Sequence, residues 1–81
     1  MEKRIGSLLI VIENPQSVSQ LNEVISNHNQ LVLGRQGIPL REKGISVISL
    51  VLEGTSDEFS SLSGKLGRIN GVQVKSIMAK N

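Results

Sequence analysis

Eighty-one residues make one small domain, because a domain usually takes ~100–200 residues, so a catalytic domain paired with a separate DNA-binding domain is excluded. Ile, Leu and Val supply 27 positions against one Phe, one Ala and no Trp, Tyr or Cys; the core has to be aliphatic, and disulfides, thiolate nucleophiles, zinc ribbons and Fe–S ligation by this chain are excluded. Nine Lys and Arg against seven Asp and Glu leave a formal +2, too mild to signal nucleic-acid binding by itself.

The first segment, Ile5 to Glu13, is rich in β-branched residues and stops at Asn14-Pro15, which predicts a strand. Asn14 is a natural N-cap with Pro15 at the first helical position, where a missing N–H costs nothing. Val18, Leu21, Ile25 and His28 follow at helical spacing and place an apolar stripe on a helix of about twelve residues that ends at Asn27-His28-Asn29. Leu31 to Ile38 reads as a second strand, with Pro39 at its end or on an edge. Arg41 to Gly44 is a polar turn whose glycine can take positive φ, and Gly44 to Glu53 forms a third strand. Thr55-Ser56-Asp57-Glu58 is a capping box that opens a second helix along Phe59, Leu62, Leu66 and Ile69, with Gly71 as its left-handed stop. Val72 to Ala79 closes the chain as a fourth strand.

The order β-α-β-β-α-β predicts an α+β, ferredoxin-like sandwich in which right-handed crossovers make strands one and three central and both helices cover one face. In those central strands Leu8, Ile10, Ile12, Ile48, Leu50 and Leu52 mark one face, whereas Ile5, Leu9, Val11, Ile45, Val47 and Val51 mark the other. Two short helices cover a single face, and a half-solvated antiparallel sheet ordinarily alternates apolar with polar. The second set is therefore expected to form an oligomer interface, a dimer joined through that face or through neighbouring strands.

Several chemistries that this topology supports lack their residues. Base stacking on the central strands needs aromatics, and Gly44 to Val51 has none. Glu13-Asn14-Pro15-Gln16-Ser17 offers no phosphate cradle with an Arg, Gly64-Lys65 is not followed by Ser or Thr, and no G-x-G-x-x-G run occurs. A metal shell cannot be built from His28, the only imidazole, without cysteine, so His28 is read as a helix C-terminal packing residue and no metal or cofactor is expected. No nucleophile-base pair can be assembled either, and the chain is read as a non-enzyme.

Two glycine pairs stand out. Gly34-Arg35-Gln36-Gly37 sets a planar guanidinium between accessible backbone N–H groups, a pattern suited to a carboxylate or phosphate. Gly64 and Gly67 lie within the second helix, where each costs ~1 kcal/mol relative to Ala, so a close approach by a helix, subunit or ligand is expected there. Lys65, Arg68, Lys75 and Lys80 add positive charge near that helix and the last strand. With the basic residues of the β2–β3 turn, they support an alternative reading as a nucleic-acid-associated transcriptional regulator.

Leu62-Ser63-Gly64-Lys65-Leu66-Gly67-Arg68-Ile69-Asn70-Gly71-Val72-Gln73-Val74-Lys75, the segment Leu33 to Glu42, and the strand Ile48 to Leu52 resemble the small family of iron-only hydrogenase system regulators. The resemblance implies a stand-alone ACT-like domain, similar to the C-terminal half of nickel-responsive repressors, with a regulatory role. Those repressors hold metal through several His and a Cys and carry a separate ribbon-helix-helix domain. Here only His28 is present and the first strand begins within the opening residues, so neither the metal site nor direct DNA binding transfers. Amino-acid-binding ACT domains use a glycine-containing turn after the first strand, and residues 13–17 contain no glycine.

The longest uncharged apolar stretch, Ile5 to Ile12, falls short of the ~20 residues of a spanning helix, and no export signal is visible. The expectation is a cytoplasmic, homo-oligomeric regulatory module, away from membranes, that binds a small-molecule effector or a protein partner.

Overall fold

The computed structural model describes residues 2–79, so Lys80 lies outside the described residues. Four strands, β1 (Arg4–Ile12), β2 (Val32–Leu40), β3 (Ile45–Gly54) and β4 (Val72–Met78), alternate with two helices, α1 (Val18–Asn27) and α2 (Ser56–Gly67). The sheet runs β2-β3-β1-β4 with every neighbouring pair antiparallel. Both hydrophobic central strands are thus interior, and β2 and β4 are its edges.

The core forms where the even-numbered side chains of β1 and β3 meet the helical stripes. Leu8, Ile10 and Ile12 pair across the register with Leu50, Ile48 and Ser46, and the aliphatic members are buried beneath Leu21, Ile25, Phe59, Leu62 and Leu66. Each such side chain gains roughly 1.5–3 kcal/mol on leaving water, which is what holds two helices of low intrinsic stability to the sheet.

Local chemistry explains where elements start. Thr55 Oγ1 accepts from the Glu58 N–H at 3.2 Å while the Glu58 carboxylate accepts from the Thr55 N–H at 2.8 Å, closing the capping box on α2. Gly44 turns β2 into β3 at φ +67, in the left-handed region where a Cβ is costly.

Four details depart from the sequence-based expectation. Asn14 caps a short 3₁₀ turn, Pro15–Ser17, by accepting from the Gln16 N–H at 3.1 Å, and α1 begins only at Val18. Ser17 is the reason that turn is kept: its buried hydroxyl donates to the Asn70 carbonyl at 2.6 Å, tying the entry to α1 to the loop before β4. Leu31 belongs to a second 3₁₀ turn, Asn29–Leu31, where it is buried and not paired as a strand residue. β2 continues through Pro39 to Leu40, which an edge strand permits because one of its sides has no ladder partner to which the N–H that proline lacks would have to donate. Finally, α2 ends at Gly67, and Gly71 takes its positive φ of +74 in the turn beyond, where a methyl would stand 2.7 Å from Asn14 Cβ.

Candidate functional site

The register places Ile5, Leu9 and Val11 of β1 beside Glu53, Ser49 and Val47 of β3, with Val51 opposite Ser7. Ile45, Val47 and Val51 thus share the face turned away from both helices with Ile5, Leu9 and Val11. Ile5, Leu9 and Val51 are 42–47% exposed, and Val11, Ile45 and Val47 are half-buried. The edge strands widen this surface: Ile38 pairs with Val47 and Ile77 with Ser7, and they are 46% and 74% exposed. Sequence reasoning missed these two because Ile38 lies beyond a bulge in β2 between Val32 and Gly34, while Ile77 on β4 follows Lys75-Ser76, where the apolar alternation of Val72 and Val74 breaks off. Glu53 on β3 and Lys75 on β4, the latter opposite Leu9, bring one charge of each sign to the same face.

Of the residues around the first glycine pair, Arg35 and Gly37 pair with the core residues Leu50 and Ile48, so they point to the helix side of the sheet. Gly34 pairs with Val51 and points to the open side. The three do not converge, since the strand alternation separates Gly34 from its two neighbours. The Arg35 guanidinium reaches α1, where Nη2 donates to Asn22 Oδ1 at 2.6 Å. Beneath that bond lies a hollow of about 180 Å³ lined by Val18, Asn22, Arg35, Gly37, Pro39 and Ile48 among others. Asn22 was not legible as a partner, because only the packing of α1 over β2 brings it to Arg35.

The second glycine pair lies at the other edge of the sheet, on the helix that packs over β4. Gly64 lines a recess of about 360 Å³ with Ser60, Ser63, Ser76 and Met78, whereas Gly67 does not. Among the described residues, no atom beyond the chain neighbours and the helix's own backbone lies within 4 Å of a Cβ added at Gly64 or Gly67. The close approach expected at these helical glycines is therefore not made by the described residues of the chain.

His28 follows α1 and is engaged on both ring nitrogens. Nδ1 lies 2.9 Å from the Val24 carbonyl, which can only accept, so Nδ1 carries the proton and Nε2 accepts from Lys65 Nζ at 3.5 Å. Among the described residues, no three His, Asp or Glu side chains gather to hold a metal ion. The Thr55 backbone N–H holds the Glu58 carboxyl below its ordinary value of 4.5; desolvation opposes this, while the Thr55 hydroxyl and the Lys3 charge reinforce it. The basic residues are dispersed: Lys65 reaches His28 on the helix layer, Lys75 faces the open side, and Arg41 and Lys43 occupy the turn after edge strand β2.

Four antiparallel strands in the order β2-β3-β1-β4, with both helices on one face, define an ACT-like ferredoxin fold. Residues 4–76 match the TM1266-like family, described as "Iron-only hydrogenase system regulator, putative", and the chain belongs to that family. An uncharacterized protein, TM1266 from Thermotoga maritima, is 41% identical over 98% of this chain and 100% of its own, with a TM-score of 0.93. The ACT domain of GTP pyrophosphokinase from Chlorobium tepidum superposes at a TM-score of 0.79 with 22% identity, covering 94% of this chain and 100% of that domain. The C-terminal domain of MgtC from Mycobacterium tuberculosis does so at 0.75 with 13% identity, over 94% of this chain and 87% of that domain. These last two likenesses concern the fold alone. No curated protein matches the sequence. Among the described residues, no helix is long and apolar enough to cross a membrane.

Proposed function

We propose that this chain is a non-enzymatic, cytoplasmic regulatory module that works as a homo-oligomer and responds to a small molecule or a protein partner. The observation that supports this most directly is the open sheet face, where Ile5, Leu9, Ile38, Val51 and Ile77 are all more than 40% exposed on one side of a four-stranded sheet. Apolar surface of that continuity costs free energy in water at roughly 25 cal/mol per Å², and a second copy removes it for both partners. The opposite charges of Glu53 and Lys75 on the same face fit a self-complementary surface, since a two-fold interface presents one patch to itself.

The family description speaks of regulation of an iron-only hydrogenase system, and a small module without a catalytic constellation suits that role by binding. Ligand contacts are assigned to Arg35 and Gly37 on the helix side of β2, and to Gly64 on α2, where a neighbouring subunit can approach.

Sedimentation velocity at 1–100 µM, a range of order-of-magnitude bracketing for a Kd worth about 6–8 kcal/mol, tests the assembly. The wild type is expected to sediment as a dimer or larger species, and Leu9→Glu combined with Val51→Glu, which sets like charges against each other across a two-fold interface, is expected to give a folded monomer. A wild-type monomer throughout that range refutes the reading. So does a double variant that remains fully associated.

A further inference from the structure

The helix side of the β2 edge holds a feature that the fold itself does not require. Gly37 has no positive φ, and a Cβ added there meets nothing within 4 Å. Its missing side chain leaves a notch between α1 and β2, directly over Ile48, which is 6% exposed. The notch opens into the hollow under Arg35 and continues, through Ile12, Val18, Pro39 and Ser46, into a second hollow of about 260 Å³ that reaches Arg41. The floor of this groove is aliphatic. One rim is held by the Arg35 guanidinium, which Asn22 anchors at 2.6 Å through a single N–H, leaving the rest of its planar fork free for a two-point contact.

The charges along the groove are one-sided. Arg35 and Arg41 line it, and neither hollow has an Asp or Glu among its lining residues; Glu42 and Lys43 line an adjoining recess with Arg41. A carboxylate is complemented by such a site, while an ammonium group beside the Arg35 guanidinium, in a hollow with no lining carboxylate, is opposed. We infer that the α1–β2 groove binds a small aliphatic carboxylate without an ammonium group, its anionic end on Arg35 and its alkyl body over Gly37, Ile48 and Val18. The ligand class is thus an organic acid, not a zwitterionic amino acid. This deepens the ligand-binding part of the proposed function and is separable from self-association, because the ligand-contacting residues Arg35, Gly37, Ile48 and Val18 lie on the helix side of the sheet, and only the outer rim of the groove, at Ile38 and Ile45, reaches the open face.

The test is an amide-resolved NMR titration of the full chain with straight-chain monocarboxylates of increasing length, from acetate to octanoate, beside leucine and hexylamine. Hexanoate is expected to shift the Asn22, Gly37 and Ser46 amides, with affinity rising about three- to fourfold for each added methylene until the groove is filled. Leucine is expected to bind at least tenfold more weakly than hexanoate, and hexylamine not to perturb these amides. Arg35→Gln, which keeps the side chain's length and polarity, should weaken hexanoate at least tenfold. Gly37→Val, which fills the notch while leaving Arg35 in place, should flatten the dependence on chain length. The proposal is overturned by no binding across the carboxylate series, by shifts confined elsewhere, by equal affinity for leucine, or by an unchanged response in both variants. The Leu9→Glu, Val51→Glu double variant separates the two readings. Loss of assembly with hexanoate binding retained supports the groove by itself, whereas intact assembly without hexanoate binding removes only the groove.

Discussion

Gly6 in β1 lies beneath Phe59, the only aromatic residue of the chain. A methyl at position 6 would run into the Phe59 ring, and it would stand 2.7 Å from the Ile77 carbonyl oxygen of β4. Phe59 is 3% exposed, so the ring has little room to retreat without opening a gap under α2. Overpacking a filled core costs typically 1–3 kcal/mol, and removing a strand glycine returns about 0.5–1 kcal/mol of backbone entropy. Gly6→Ala is therefore expected to destabilise by about 1–2 kcal/mol net, which for a domain of this size lowers Tm by about 4–16 °C. The decisive measurement is a double-mutant cycle with Phe59→Leu, which removes the ring while keeping the side chain apolar. Phe59→Leu alone should cost about 1–2 kcal/mol through its cavity, and Gly6→Ala added to it should cost about 1 kcal/mol less than in the wild type. Urea melts at one fixed protein concentration read these values without a contribution from changing assembly. If Gly6→Ala costs the same with and without the ring, the reasoning fails: the approach of the Ile77 carbonyl, not the ring, then requires glycine at this position.

Glu58 sets a pH dependence of known sign. Its folded value lies below the ordinary 4.5, so its contribution is complete above that ordinary value and is lost as pH falls through the lower folded value. The Tm of the wild type should consequently fall relative to Glu58→Gln as pH drops below about 4.5, and the two curves should run parallel above about pH 6; parallel curves throughout would remove the carboxylate from the cap. Thr55→Ala opens the same box and should cost about 0.5–2 kcal/mol in a urea melt. The glycines should rank by backbone and space: Gly71→Ala, with φ +74 and Asn14 Cβ 2.7 Å away, should be more damaging than Gly44→Ala, with φ +67 and open surroundings, the latter costing about 1–2 kcal/mol. Gly64→Ala, inside α2 with nothing within 4 Å, should stabilise the isolated fold by up to ~1 kcal/mol, and a loss on that substitution at high protein concentration alone would place a neighbouring subunit on α2.

The parts of this fold that could be read from sequence are those governed by near neighbours in the chain. The capping box at Thr55 and Glu58, the left-handed turn at Gly44 and the alternation of β1 and β3 each depend on residues within one or two turns of one another. What escaped was set by contacts distant in sequence. Ser17 interrupts the start of α1 because its hydroxyl bonds to Asn70, and nothing in the local pattern Asn14-Pro15-Gln16-Ser17 announces a carbonyl more than fifty residues away. The bulge before Gly34 shifts β2 by one position, and this alone determines that Arg35 faces α1 while Gly34 faces the open side. A one-residue difference there would exchange them. The apolar face was legible because both central strands are interior and strongly patterned; the groove was not, because it needs the bulge, the missing side chain of Gly37 and the placement of Asn22 together. The two surfaces therefore follow from different kinds of information. One is written into composition and period, and the other arises only where an edge strand of ambiguous register is held under a helix.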